Sequence, residues 1–159
     1  MTELGTQLGM SKNTVERYLD LLEKAFVLVR IKGFSRNLRK EVSKTSRYYF
    51  YDNGVRNALV NNFNPMNLRD DQGLLWENYI VIERLKKQEY AGISANNYFW
   101  RTYDRKEIDL VEEREGRLFG YEIKYSPQKV KAPDSWLKAY NKASYDVVSR
   151  DNYLEFISS

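Results

Sequence analysis

The chain of 159 residues contains no cysteine and no histidine. The first absence excludes a disulfide framework and thiolate metal sites, and it fits a reducing compartment such as the cytoplasm. The second removes Ser-His-Asp and Cys-His nucleophile arrangements, imidazole zinc sites and the commonest general base. Any catalysis would have to rest on carboxylates, Lys, Arg, Tyr or a metal held by oxygen, which suits Mg²⁺, Mn²⁺ or Ca²⁺. No apolar run approaches the roughly 18 residues of a membrane span, and no N-terminal signal peptide is visible. A Gly-x-x-x-x-Gly-Lys-Ser/Thr loop is also missing, so this chain carries no P-loop ATP site of its own.

What is there reads as an ordinary globular chain, 42% hydrophobic and 30% charged. The formal net charge of +4 favours polyanionic partners only weakly. A short helix ending at Gly9, Ser11 as an N-cap and a helix over Lys12–Lys24 with Val15, Tyr18, Leu19 and Leu22 as its apolar stripe give a helix-turn-helix pattern. Strands over Phe26–Ile31 and Tyr48–Tyr51 would form the wing of a winged helix. Such a unit needs a further helix ahead of the first, so the chain is expected to be a C-terminal fragment of something longer. Asp52-Asn53-Gly54 reads as a turn, followed by a helix over Val55–Asn61. The loop at 62–71 is the expected domain boundary, dividing a winged helix-turn-helix remnant (1–62) from a second domain (63–159).

The second domain reads as a long helix over Gly73–Gln88, then strands over Tyr98–Thr102, Glu107–Glu113 and Leu118–Tyr125. A short helix from Pro133 to Lys142 follows, then short strands near Asp146–Val148 and Tyr153–Phe156. That order predicts an α+β fold, an α/β sandwich with a central mixed sheet flanked by helices. The abundant tyrosines read as core and interface residues.

The central feature is a predicted hairpin with Glu115-Gly116 as a two-residue turn. Pairing Arg114 with Arg117 and continuing that register sets Leu110 against Tyr121, Asp109 against Glu122 and Ile108 against Ile123. Directly opposed side chains lie about 4.5–5.5 Å apart at Cβ, and like charges so placed repel. Lys124 shares the face of Glu122. Ile108, Ile123, Leu110 and Tyr121 would fill the opposite face, and Gly120 would leave room for a ligand beside Glu122. Either a divalent cation compensates the two carboxylates or Lys124 does. On the long helix, Glu77 sits among apolar neighbours and either adds a third carboxylate or faces solvent.

Between Arg30 and Arg47 lie seven basic residues and a single acidic one, Glu41. With Lys12 and Arg17 on the second helix, Arg36, Arg39, Lys40 and Lys44 of this run are the candidate phosphate contacts. A solvated loop is the alternative.

Glu77, Asp109 and Glu122-Ile123-Lys124, in helix-strand-strand order, resemble the PD-(D/E)XK nuclease superfamily, although Ile108 stands where its proline would be. Longer stretches, among them Arg17–Phe26, Phe34–Glu41, Tyr49–Leu59 and Leu75–Asn78, resemble the C-terminal domain of an uncharacterised prokaryotic AAA-type ATPase family. The resemblance implies a restriction-endonuclease-like domain after the winged helix, a preceding ATPase domain as partner, DNA as the favoured nucleic acid, and self-association as an option. It also implies metal-assisted phosphodiester hydrolysis. Asp109, Glu122 and the Ile123 carbonyl would hold Mg²⁺ or Mn²⁺, Lys124 would orient water or stabilise the transition state, and Glu77 would support the metal. The alternative is a non-catalytic module that binds nucleic acid or assembles with the ATPase.

Overall fold

The computed structural model describes residues 2–36, 41–42 and 45–158, with side chains from Gly5 onward. The first helix, α1 (Thr2–Leu8), ends at Gly9, whose φ of +63° is the left-handed conformation that glycine takes without strain. Ser11 caps α2 (Lys12–Lys24), its Oγ accepting from the Thr14 N–H at 3.1 Å. Of the expected stripe on α2 only Val15 is buried, and Tyr18 and Leu22 remain exposed. Leu21 and Phe26 beside them are exposed as well.

Strands β1 (Leu28–Gly33) and β2 (Ser46–Phe50) pair antiparallel, as the wing pattern predicts. The first begins later than expected because Phe26 has φ +55° and turns the chain out of α2. These strands do not stand apart. β1 pairs in parallel with β3 (Asn96–Arg101), so strands from both sides of residue 62 share one sheet. Asp52 is not a turn residue but the N-cap of α3 (Asn53–Leu59), accepting from the Gly54 and Val55 N–H groups. An Asx side chain serves either role, and here the helix follows at once.

The long helix α4 (Gln72–Tyr90) leads into β3, β4 (Glu107–Arg114) and β5 (Arg117–Ile123). Then come α5 (Asp134–Ala139), β6 (Ser144–Val148) and α6 (Tyr153–Ile157). The fold is α+β, with a six-stranded mixed sheet ordered β2-β1-β3-β4-β5-β6. The segment expected to close the chain as a strand is α6. Tyr153 and Phe156 pack on the core while Leu154 and Glu155 between them are exposed, a helical spacing and not an alternation. No helix among the described residues is long and apolar enough to cross a membrane.

The β4–β5 hairpin has the predicted turn. Glu115 (φ +52°) and Gly116 (φ +70°) form a two-residue loop with both residues left-handed, and the register runs from Arg114↔Arg117 to Leu110↔Tyr121. The β3–β4 pairing shifts register between Tyr98 and Trp100, a bulge that re-aims the start of β4. Two cores result. Leu110, Tyr121 and Ile123 pack with Ile80 and Val81 of α4, and Ile108, Val111 and Leu118 pack with Trp136 of α5. Ile108 thus lies apart from Leu110 and Tyr121, which fill the α4 side. Gly120 leaves no opening for a ligand, because a Cβ there would stand 3.3 Å from Ile108 Cδ1.

Candidate functional site

The first turns of α4, the second strand, and the bulged end of the β4–β5 hairpin bring charged side chains together. Asp109 does not face Glu122 across the ladder. Its Oδ2 accepts from the Ile123 backbone N–H at 3.0 Å. Its Oδ1 accepts from Arg47 Nη1 at 3.2 Å, and the same nitrogen lies 3.3 Å from Glu77 Oε1. The other arm of the Arg47 guanidinium pairs with Glu107. Tyr49 donates its hydroxyl to Glu77 at 2.7 Å. The Arg47 guanidinium carbon stands 4.8 Å from the centroid of the Phe99 ring, so an aromatic face backs the cation. Across the hairpin, Lys124 Nζ lies 2.6 Å from Glu122 Oε1. Arg47, Glu77, Glu107 and Asp109 line a cavity of about 510 Å³.

Burial and repulsion leave their mark on these groups. Burial raises the Glu77 carboxyl above its usual range, and the Asp109 charge adds to the rise. Glu122 is raised for the same two reasons, partly offset by Lys124. Burial also raises the Tyr49 hydroxyl, with Glu77 adding to it. For Arg47 burial works against the charged form, but Tyr49, Glu77 and Asp109 outweigh it and hold the guanidinium charged. Lys124 is likewise penalised by burial, yet the pair with Glu122 raises it on balance.

A carboxyl with a raised folded-state pKa binds its proton more tightly in the folded chain than in the unfolded one. Its contribution to stability is complete below the ordinary value of 4.5 and is lost as the pH rises through the raised value. Glu122→Gln removes one such titration. Urea unfolding of the variant at pH 4 and pH 7 is therefore expected to show a smaller fall in stability with rising pH than the parent chain shows. An equal or steeper fall would mean that Lys124 outweighs burial at Glu122.

The structure thus gathers Glu77, Asp109, Glu122 and Lys124 at one end of the hairpin. It adds a residue that the sequence pattern placed on a wing, Arg47. The residue alone carries no signal of this role, since its partner Asp109 is 62 positions away. The donor set does not fit a divalent cation as arranged. Both Asp109 oxygens are engaged, Glu77 Oε1 receives Arg47 and Tyr49, and Glu122 Oε1 is held by Lys124. Among the described residues no group of three or more acidic side chains is placed to hold a metal ion.

Lys12 lies 3.7 Å from Glu16, Arg17 is exposed on α2, and Arg36 pairs with Glu113. Arg39, Lys40 and Lys44 lie outside the described residues. Glu41, the acidic residue of the basic run, is buried, and it accepts from Trp100 Nε1 at 2.8 Å and from the Tyr140 hydroxyl.

Residues 72–155 match a domain of unknown function, DUF4143, and residues 1–66 match a second one, DUF8612. Uncharacterized proteins of Mycobacterium tuberculosis and Mycobacterium bovis are each 30% identical to the chain over 126 residues, which is 77% of this chain and 27% of theirs. An uncharacterized protein of Haemophilus influenzae is 23% identical over 128 residues, 80% of this chain and 29% of its own. The chain therefore spans less than a third of the length of these curated relatives. No solved structure matches it significantly.

Proposed function

This chain belongs to the DUF4143 family, and from that premise we propose that it is the nuclease-like, DNA-handling part of a larger ATPase-linked protein, in a form that binds without cutting. The nuclease-like element rests on order and placement. The run α4-β3-β4-β5-α5-β6, with an acid on the helix, an acid on the second of its strands and Glu122-Ile123-Lys124 ending the third, is the order on which the sequence resemblance was drawn. The α1-turn-α2 unit followed by paired strands is the winged-helix element of the same reading. A larger parent protein is supported by the length of the relatives. The exposed apolar residues Tyr18, Leu21, Phe26 and Leu59, on or beside α2 and α3, add to that support as surface for further protein to cover.

One observation carries the non-cutting form: the Arg47 guanidinium occupies the space between Glu77, Glu107 and Asp109. It pairs with the carboxylates that a nuclease of this kind would keep for a cation. Asp109 also fastens the open end of the hairpin through the Ile123 N–H, and Lys124 settles the charge of Glu122. DNA would be met through phosphate contacts from Lys12, Arg17 and the basic run, so binding should weaken steeply with salt.

The experiment is to incubate the purified chain with single- and double-stranded DNA, in EDTA and in millimolar Mg²⁺ or Mn²⁺. Retention of DNA in both conditions, without cleavage, is the expected result. Metal-dependent cleavage that disappears in Asp109→Ala and Lys124→Ala would show instead that the cluster is a working nuclease site.

A further inference from the structure

A second cavity opens on the flank of the acidic cluster, about 440 Å³ in volume. Its walls come from α3, from α4, and from the segments that follow β5 and β6. Trp76 precedes Glu77 on α4, and Tyr125 follows Lys124, so the cavity is one residue along the chain from the charged site on both elements. Trp76 is the hub of its aromatic wall. The ring centroids of Tyr125 and Tyr79 both lie 5.9 Å from it. At the rim the exposed Arg150 holds its guanidinium 4.6 Å from the Tyr125 ring centroid.

Two polar atoms of residues lining this cavity are screened from solvent and have no hydrogen-bond partner among the described residues: Trp76 Nε1, a donor, and Asn53 Oδ1, an acceptor. Asn53 is fixed in that orientation because its Nδ2 donates to the Leu75 carbonyl at 3.0 Å. Leaving a buried polar group unmade is costly, so such pairs call for a complementary partner. Aromatic rings in the wall and a cation at the mouth match a planar heteroaromatic ring that carries a phosphate.

We propose that this cleft is a stacking site for a nucleobase, supplied by a single-stranded nucleic acid or by a free nucleotide. The base lies flat on the Trp76 ring, Tyr125 stands beside it at 81° to that ring, and Arg150 takes the phosphate. The proposal rests on the nucleic-acid reading above only for the polymer as the source of the base. It requires no cleavage and no metal, so it stands or falls separately from the test of the acidic cluster. The tyrosines of this wall then do more than fill the core.

Intrinsic fluorescence gives the test. Trp100 and Trp136 are 1% and 0% exposed, which leaves Trp76 as the tryptophan that a bound base can reach. The full chain in EDTA is titrated with a short thymidine homopolymer and, separately, with thymidine monophosphate. Saturable quenching is expected, weakened about tenfold in Tyr125→Ala and also weakened in Arg150→Glu, a surface change that leaves the core intact. Quenching by both probes identifies the free nucleotide as a sufficient ligand, and quenching by the polymer alone identifies the strand. No quenching by either, or quenching unchanged in Arg150→Glu and Tyr125→Ala, overturns the proposal.

Discussion

Replacing Arg47 by alanine is expected to destabilise the chain by about 3 kcal/mol, measured by urea unfolding at neutral pH. Removing one partner of a buried pair typically costs roughly 3–5 kcal/mol, because the other charge is left uncompensated. The low end applies because the Arg47 side chain keeps 23% of its exposure. Three carboxylates lose their cation at once: Glu77, Glu107 and Asp109. The Phe99 ring also loses the guanidinium beside it. Arg47→Lys should recover only part of the loss, since a single ammonium cannot reproduce the fork that reaches carboxylates on α4 and β4 together. A cost under about 1 kcal/mol for Arg47→Ala would place the cluster among surface ion pairs of little consequence.

The second large effect lies away from the site. Glu112 is 0% exposed on β4 and takes Arg84 of α4 in two contacts, Nε at 2.5 Å and Nη2 at 3.0 Å. Arg114 Nε adds a third at 3.1 Å, and Arg84 also donates to the Phe156 carbonyl at 2.9 Å, which ties α6 to α4. Glu112→Ala leaves a buried guanidinium without its carboxylate. The expected cost is about 3–5 kcal/mol, or a fall in the unfolding midpoint on the order of 10 °C. The pair itself is not the source of stability. Changing both members together, Arg84→Met with Glu112→Leu, should cost far less than Glu112→Ala alone, because the buried guanidinium goes with its carboxylate and the Arg114 left behind is 25% exposed. A double variant as unstable as the single one would show that the salt bridge, and not the stranded charge, sets the loss.

The parts of this fold that local sequence carries are those set by neighbours in the chain. Ser11 announces α2, Glu115-Gly116 announces the hairpin turn, and the apolar run from Leu74 to Ile82 announces α4. The hairpin register followed from the turn as far as Leu110↔Tyr121. It stopped there because the bulge against Tyr98 and Trp100 depends on a strand that the turn does not touch. The same limit hid Arg47 and Glu112. Arg47 looks like the last member of a basic run and Glu112 like an ordinary charged strand residue, and each is defined by a partner that only the fold brings close. Tyr153–Phe156 reads as a strand in sequence because four residues with two aromatic positions fit either period until a packing surface chooses. The convergence of Glu77, Asp109, Glu122 and Lys124 was legible. The state of that cluster was not, since it turns on a cation from another strand.

That state decides whether the cluster can take a metal ion. The most direct measurement is to strip the chain with EDTA and follow its thermal unfolding midpoint while Mg²⁺ or Mn²⁺ is added to millimolar concentration. An ion that binds only the folded chain must raise the midpoint by mass action. With Arg47 already holding Glu77, Glu107 and Asp109 in ion pairs, the expected result is no change. A midpoint that rises with metal in the parent chain, and no longer rises in Asp109→Asn, is the result that would contradict it.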